Sequence, residues 1–350
     1  MTFNLQRREL LAAAAALAVS TGVRQALAAT GAVPQDIANL GAPDLKLEDK
    51  IASLAKEAGL TKIGFAAVDL VKGKTAFVRG GELFPMQSIC KLPIAIAYLK
   101  MVENGSASLN NKVRLTAADI APGRSPLAER LRKKPTQFTA RQLIEHVLLN
   151  SDNTATDALI KLSGGPAKIQ AVLKTLDNLD GLRIDRYERD LQPQAVGLTP
   201  NAIYADPAAF DAAIASLGEE KQRQATERFL RDARDQASPR AIASLLFKLM
   251  SGHLLELRHV TFVLELMRRT KTGIERLNGG MLPGWTFAHR GGQSRTIAGI
   301  TTVFNDAGLA TSKRGGKIII VLFVAGATMS PSALAQFHRA IARAVLNEWA

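Results

Sequence analysis

The sequence predicts a mixed α/β (α+β) fold in which helices flank an antiparallel sheet assembled from both ends of the chain, around an all-helical domain. Three observations lead there. Strand-like runs occupy Lys62 to Leu70 and Thr75 to Arg79 near the start, and Thr286 to Arg290, Gly299 to Phe304 and Lys317 to Ala325 near the end. The links between them are hairpin-length, which suits antiparallel pairing. Helical patterning dominates the stretch between, to roughly Arg268. With 350 residues and 47% hydrophobic content, the chain can bury one large core or two interlocked ones.

Taken in order, residues 1–28 read as a signal peptide: Arg7-Arg8, an apolar run from Leu10 to Val19, and Ala26-Leu27-Ala28 as a cleavage site. The run falls short of the ~20 residues that span a bilayer. Gln6-Arg7-Arg8-Glu9-Leu10-Leu11 has the look of a twin-arginine signal, so a periplasmic destination is expected, with no membrane span after removal. A linker to about Asp44 precedes an amphipathic helix from Leu47 to Ala58. Residues 45–79 and 269–350 are expected to form the α/β domain, and 80–268 the helical domain. Within the latter, Thr139 and Gln142 form a capping-box pattern for the helix through Leu148. Ser330-Pro331 starts a closing helix.

Composition excludes several classes. The net charge of +14 falls to +12 without residues 1–28, whose Arg7, Arg8 and Arg24 outweigh Glu9 by two. The charges are scattered and aromatics are only 5%, so a solvated basic surface is expected and no nucleic-acid site. Five histidines show no zinc-ligand spacing, and no metal or cofactor is expected. The single cysteine allows no internal disulfide. Gly73-Lys74-Thr75 lacks the upstream glycine of a phosphate loop, and no G-x-S-x-G elbow is present. A monomer acting on a small molecule fits these exclusions.

The chemistry concentrates at Ser88-Ile89-Cys90-Lys91. A serine three residues before a lysine on a helix shares one face with it. Serine hydroxyl is a poor nucleophile until a neighbouring base takes its proton, and a lysine can do so in a buried setting. Phe84 to Gln87 leads in and Leu92 to Leu99 follows as a nearly continuous apolar stretch, which buries Lys91. Pro93 is expected to kink the helix or free a carbonyl. Three further segments stand out: Ser151-Asp152-Asn153 after an apolar helix, the charged stretch Asp185 to Gln192, which reads as a solvated loop, and the strand Thr286 to Arg290 with Gly291 and Gly292 behind it.

In this order the four elements resemble the class A serine β-lactamases, penicillin-recognising serine hydrolases whose signatures are S-x-x-K, S-D-N and K-T-G. The resemblance runs from about Leu47 to the C-terminus. It implies that Ser88 is the acylated nucleophile, Lys91 its proton partner, Ser151 a shuttle to the leaving nitrogen and Glu188 the base for the deacylating water. It further implies substrate contacts from Asn153, Gln192, Arg290, Gly292 and Gln293, with the backbone N–H groups of Ser88 and Gln293 as an oxyanion hole. The function expected is hydrolysis of a β-lactam ring through an acyl-enzyme.

The chain departs from that pattern in places. Gly291 replaces the hydroxyl residue after the cation, which removes a carboxylate contact unless Ser294 or a water supplies it. Gln192 stands where an asparagine usually helps hold the water. Gly123-Arg124-Ser125-Pro126 occupies the place of an aromatic wall. The aspartate and proline that should close the loop after Glu188 are matched only at Asp235 and Pro239, with Asp235 lying 47 positions on. An inserted helical segment, about 193–234, is expected there, with Asp206-Pro207 starting one helix and Glu219 to Leu230 forming another. Two alternatives stay open: a D-Ala-D-Ala peptidase or related acyl hydrolase, and a non-catalytic ligand-binding protein on the same fold.

Overall fold

The computed structural model describes residues 36–176 and 179–350, so the signal peptide assigned to 1–28 lies outside the described residues. The main sheet has the order Thr75–Val78, Ile63–Asp69, Lys317–Ala327, Ile300–Ser312, Trp285–Gln293, and every neighbouring pair is antiparallel. Phe65 faces Leu322 and Val68 faces Ile319 across the seam where the two chain ends meet.

Strand alternation divides the core in two. Ala66, Val68, Ile319, Val321 and Phe323 point into the cluster shared with the helical part, whereas Phe65, Ala67, Ile318, Ile320 and Leu322 point toward the terminal helices Leu45–Glu57 and Pro331–Trp349. A strand buried on both faces has no polar side to show, which is why Lys317–Ala327 reads as one apolar run. The strand Ile300–Ser312 extends well beyond the expected end at Phe304. Asn305 and Asp306 interrupt the apolar pattern, yet both are buried and partnered: Asn305 Nδ2 donates to Pro85 O at 2.9 Å, and Asp306 Oδ1 lies 2.8 Å from His289 Nδ1.

A 3-10 turn, Gln87–Cys90, precedes the helix Lys91–Glu103. Pro93 therefore falls in the first α-helical turn, where a missing N–H costs nothing, and the helix runs on unbroken. The expected kink is thereby corrected. The Thr139 capping box is present, with Gln142 Oε1 accepting from Thr139 N–H at 2.9 Å.

The charged stretch after Asp185 is also corrected, because Glu188–Ala195 is a helix. Its own N-cap, Tyr187, supplies no side-chain acceptor. Asp157, from the helix Asn153–Leu162, supplies it instead: Oδ1 accepts from Glu188 N–H at 2.6 Å and Oδ2 from Arg189 N–H at 3.1 Å. A cap borrowed from another helix leaves no local sequence signal.

That helix includes Pro193, and the expected inserted segment follows it. It carries the helices Pro207–Ser216 and Glu219–Arg231. Its neck is closed where the sequence places the match. Asp185 N–H donates to Asp235 Oδ1 at 2.7 Å, Asp235 N–H donates to Asp185 Oδ2 at 2.9 Å, and Arg186 Nε pairs with Asp235 Oδ2 at 2.6 Å.

Candidate active site

Local geometry presents the nucleophile. Gln87 has φ 47° and Ser151 φ 57°, both in the left-handed region that residues with side chains rarely adopt. Ser151 owes this to the π turn His146–Asn150 that ends the preceding helix; a widened turn at a functional site is a recurring device. The result brings Ser151 Oγ to 3.0 Å from Ser88 Oγ, as donor.

Lys91 is the hub. Its Nζ lies 2.9 Å from Ser88 Oγ, 2.7 Å from Asn153 Oδ1 and 2.8 Å from Glu188 Oε1, and the Lys91 and Glu188 side chains are 0% and 2% exposed. Glu188 Oε2 accepts from Gln192 Nε2 at 2.7 Å, and Gln192 lies 3.3 Å from Gln87 Oε1. Asn153 Nδ2 donates to Pro122 O at 2.8 Å. Thus Ser88, Lys91, Ser151, Asn153, Glu188 and Gln192, which span more than a hundred positions, form one connected polar network. Buried networks of this kind rigidify when every member is paired.

The strand Trp285–Gln293 closes the opposite side. A Cβ on Gly292 would sit 2.5 Å from Met86 O and 3.2 Å from Ser88 N, so only glycine lets the strand approach the nucleophile turn. Gln293 follows Gly292 on the same strand. Arg290 is fully buried; Nε donates to Ser88 O at 3.1 Å and Nη1 to Leu148 O at 3.2 Å, while Nη2 has no partner. Burial pulls its pKa down to about 10.

Arg276 is the residue that sequence reasoning missed. It is buried; Nη1 donates to Asn305 O at 2.8 Å and Gly292 O at 3.2 Å, and Nη2 to Gln293 Oε1 at 2.6 Å. Its guanidinium stacks 4.2 Å from the Phe304 ring. A Cβ on Gly291 would lie 2.8 Å from Arg276 Nη1, so the room left by Gly291 is filled by a second cation. Ser294 Oγ donates to Arg295 O at 2.9 Å and accepts from Val303 N–H at 3.0 Å. Nothing in the glycine-rich loop around Arg276 marks it in the sequence.

Asp157 adds a titratable group below the site. Burial, with the Glu188 charge beside it, raises its pKa to about 7, against the hydrogen bonds from Glu188 and Arg189. Among the described residues, no group of three or more His, Cys, Asp or Glu is placed to hold a metal, and no helix is long and apolar enough to cross a membrane. With Lys91 Nζ and Ser151 Oγ both within hydrogen-bond distance of Ser88 Oγ, the arrangement is suited to acyl transfer by a serine whose proton can leave through either.

Comparison with known proteins agrees. The chain is 28% identical to β-lactamase VEB-1 of Pseudomonas aeruginosa over 284 residues, which cover 80% of this chain and 81% of that one. Its fold matches that of a β-lactamase from Chitinophaga pinensis with a TM-score of 0.70 at 26% identity, covering 87% of this chain and 99% of the other. An ancestral class A β-lactamase matches with a TM-score of 0.69 at 24% identity, covering 87% and 100%. The model of the β-lactamase enzyme family matches residues 46–349. The chain belongs to the β-lactamase enzyme family and has the fold of its class A serine members.

Proposed function

We propose that this protein is a serine β-lactamase in which Ser88 opens the β-lactam ring and Glu188 drives hydrolysis of the resulting ester. The observation that carries this reading is the position of Lys91 Nζ, 2.9 Å from Ser88 Oγ and 2.8 Å from Glu188 Oε1. Lys91 passes a proton to Glu188 and takes the proton of Ser88 as its oxygen attacks the ring carbonyl. Negative charge on that carbonyl oxygen is met by the backbone N–H groups of Ser88 and Gln293. The ring C–N bond breaks, and Lys91 protonates the leaving nitrogen through Ser151. Glu188 then returns its proton to Lys91. In the second half Glu188 takes a proton from water as it attacks the ester, Lys91 gives its own to the departing Ser88 oxygen, and Glu188 passes its proton to Lys91 to restore the starting ion pair.

Asn153, with Gln192 behind it, is suited to the amide side chain of the substrate. Arg290 and Arg276 carry the positive charge for its carboxylate. Two measurements test the reading. Purified protein is assayed with a chromogenic cephalosporin and, alongside, a D-Ala-D-Ala peptide; turnover of the cephalosporin alone is expected. Intact-protein mass spectrometry with a penicillin should show an adduct on the wild type and none on Ser88→Ala. An undiminished adduct on that variant moves the active site elsewhere.

We also infer that residues 1–28 direct export through the twin-arginine route to the periplasm, supported by Arg7-Arg8 and the Ala26-Leu27-Ala28 site. Replacing both arginines by lysine should abolish periplasmic recovery. Unchanged export would point to the general secretory route.

A further inference from the structure

Arg276 leaves its loop at the head of a 3-10 turn, Leu277–Gly280, and its own side chain gives that turn no cap. The acceptor comes from a strand instead. Asp306 Oδ2 accepts from Leu277 N–H at 3.2 Å, while Oδ1 of the same carboxylate lies 2.8 Å from His289 Nδ1 and accepts from Ala307 N–H at 3.1 Å. Leu277 directly follows Arg276, and His289 directly precedes Arg290 on the strand Trp285–Gln293. One carboxylate therefore holds the chain neighbour of each buried cation.

The surroundings leave this carboxylate few substitutes. The His289 and Asp306 side chains are 1% and 0% exposed, so bulk water cannot take over either contact. Three successive residues of the strand Ile300–Ser312 serve the Arg276 turn: the Phe304 ring stacks against the guanidinium, Asn305 O accepts from Nη1, and Asp306 accepts from Leu277 N–H. Burial pulls the Arg276 pKa down, and the Asp306 charge acts against that shift. The rest of the loop is docked by other means. Arg339 Nη1 donates to Glu275 O at 3.0 Å, and Gly280 packs so closely on the terminal helix that a Cβ there would meet Arg339 O. Asp306 is thus spare as an anchor for the loop; what it fixes is the point where Arg276 departs.

We propose that Asp306 is a positioning residue: it ties the Arg276 turn to the strand of Arg290 and so holds the Arg276 guanidinium ready for the carboxylate of the β-lactam. The proposal rests on the assignment of that carboxylate to Arg290 and Arg276 given above. Asp306 is fully buried, so it acts through Arg276 and not on the substrate. A cation fixed in advance loses less freedom when it binds, which is the gain that such a tether supplies.

The test compares benzylpenicillin with its methyl ester, which has the same ring and side chain and no free carboxylate. Asp306→Asn keeps the shape and one acceptor while removing the charge. In that variant kcat/KM for benzylpenicillin should fall about tenfold to a hundredfold, with the loss in KM, while that for the ester changes by less than about threefold. Added to Arg276→Ala, the same substitution should cost benzylpenicillin no more than about twofold, because the residue it acts through is already gone. If Asp306→Asn does not fold, His289→Phe leaves Asp306 in place without its partner on the strand and should show the same preference for harming the acid, about threefold to tenfold. No loss in the folded variant, equal losses for acid and ester, or losses that add to that of Arg276→Ala overturn the positioning role while leaving the serine chemistry standing. A wild type that neither compound acylates at Ser88 overturns that chemistry and the proposal with it.

Discussion

Two ion pairs of nearly equal length behave as opposites in this molecule. Lys91 and Glu188 meet at 2.8 Å with side chains 0% and 2% exposed, whereas Arg295 and Asp211 meet at 2.6 Å with side chains 46% and 57% exposed. Distance does not separate them; water does. The buried pair has given up its solvation, which the partner replaces together with Ser88, Asn153 and Gln192, so removing either member strands a charge. The exposed pair is screened and keeps its hydration, so its loss is nearly neutral. The buried pair is thus built to hold one geometry, and the exposed pair constrains its two segments only weakly.

The sharpest way to break this comparison is Lys91→Met. It should cost roughly 3–5 kcal/mol of stability by leaving Glu188 without its partner, and acylation should fall by about 10²–10⁴ with the base gone. Urea unfolding and the rate of penicillin adduct formation measure both. Near-native stability would mean that the pair is not a buried charge pair at all.

Glu188→Gln keeps the shape and the bond to Gln192 while removing the base. Deacylation should slow by about 10²–10⁴ and a penicillin adduct should accumulate. If the variant turns over like the wild type, another group activates the water.

Asp157→Asn examines the support beneath Glu188. The Asp157 pKa is raised to about 7 in the fold, so the native state holds a proton that the unfolded chain releases near pH 4. The stabilising contribution is full below pH 4 and is lost as pH rises through 7. Relative to Asp157→Asn, the wild type should lose on the order of 2–4 kcal/mol across that window. Unfolding curves between pH 4 and 8 measure it, and parallel pH profiles for the two proteins would remove Asp157 from the account.

Gly291→Thr separates the sequence reading from the structure. A sequence reading expects a gain from the missing hydroxyl, but the new Cβ meets Arg276 Nη1. Displacing that cation should lower kcat/KM for penicillins by roughly tenfold or more, as loss of a charged hydrogen bond costs about 1.5–3 kcal/mol. Combining it with Arg276→Ala should add little. A gain in the single variant would restore the hydroxyl argument. The smallest effect is expected at the other ion pair: Asp211→Asn should shift unfolding free energy by only about 0–1 kcal/mol.

Much of this was legible because the chemistry is written in local spacing. Ser88 and Lys91 are a helical turn apart, and the Thr139 and Ser330 caps and the Asp206-Pro207 start are short-range signals read by backbone N–H groups a few residues on. The helix at Glu188 was illegible because its cap, Asp157, comes from another helix. Arg276 was illegible because its partners are Gly292 O, Gln293 Oε1 and Asn305 O, on strands far along the chain.

The sequence by itself determined which polar groups meet at the candidate site and in what order they occur, along with the two-ended sheet, because apolar period, capping residues and motif spacing are properties of neighbours. Tertiary structure alone decided how charge is distributed around them: that Lys91 and Glu188 are buried together, that Arg276 fills the room beside Gly291, and that Asp211 pairs with Arg295. The physical reason is that burial, desolvation and long-range pairing depend on which distant segments share a volume, and no local pattern encodes that.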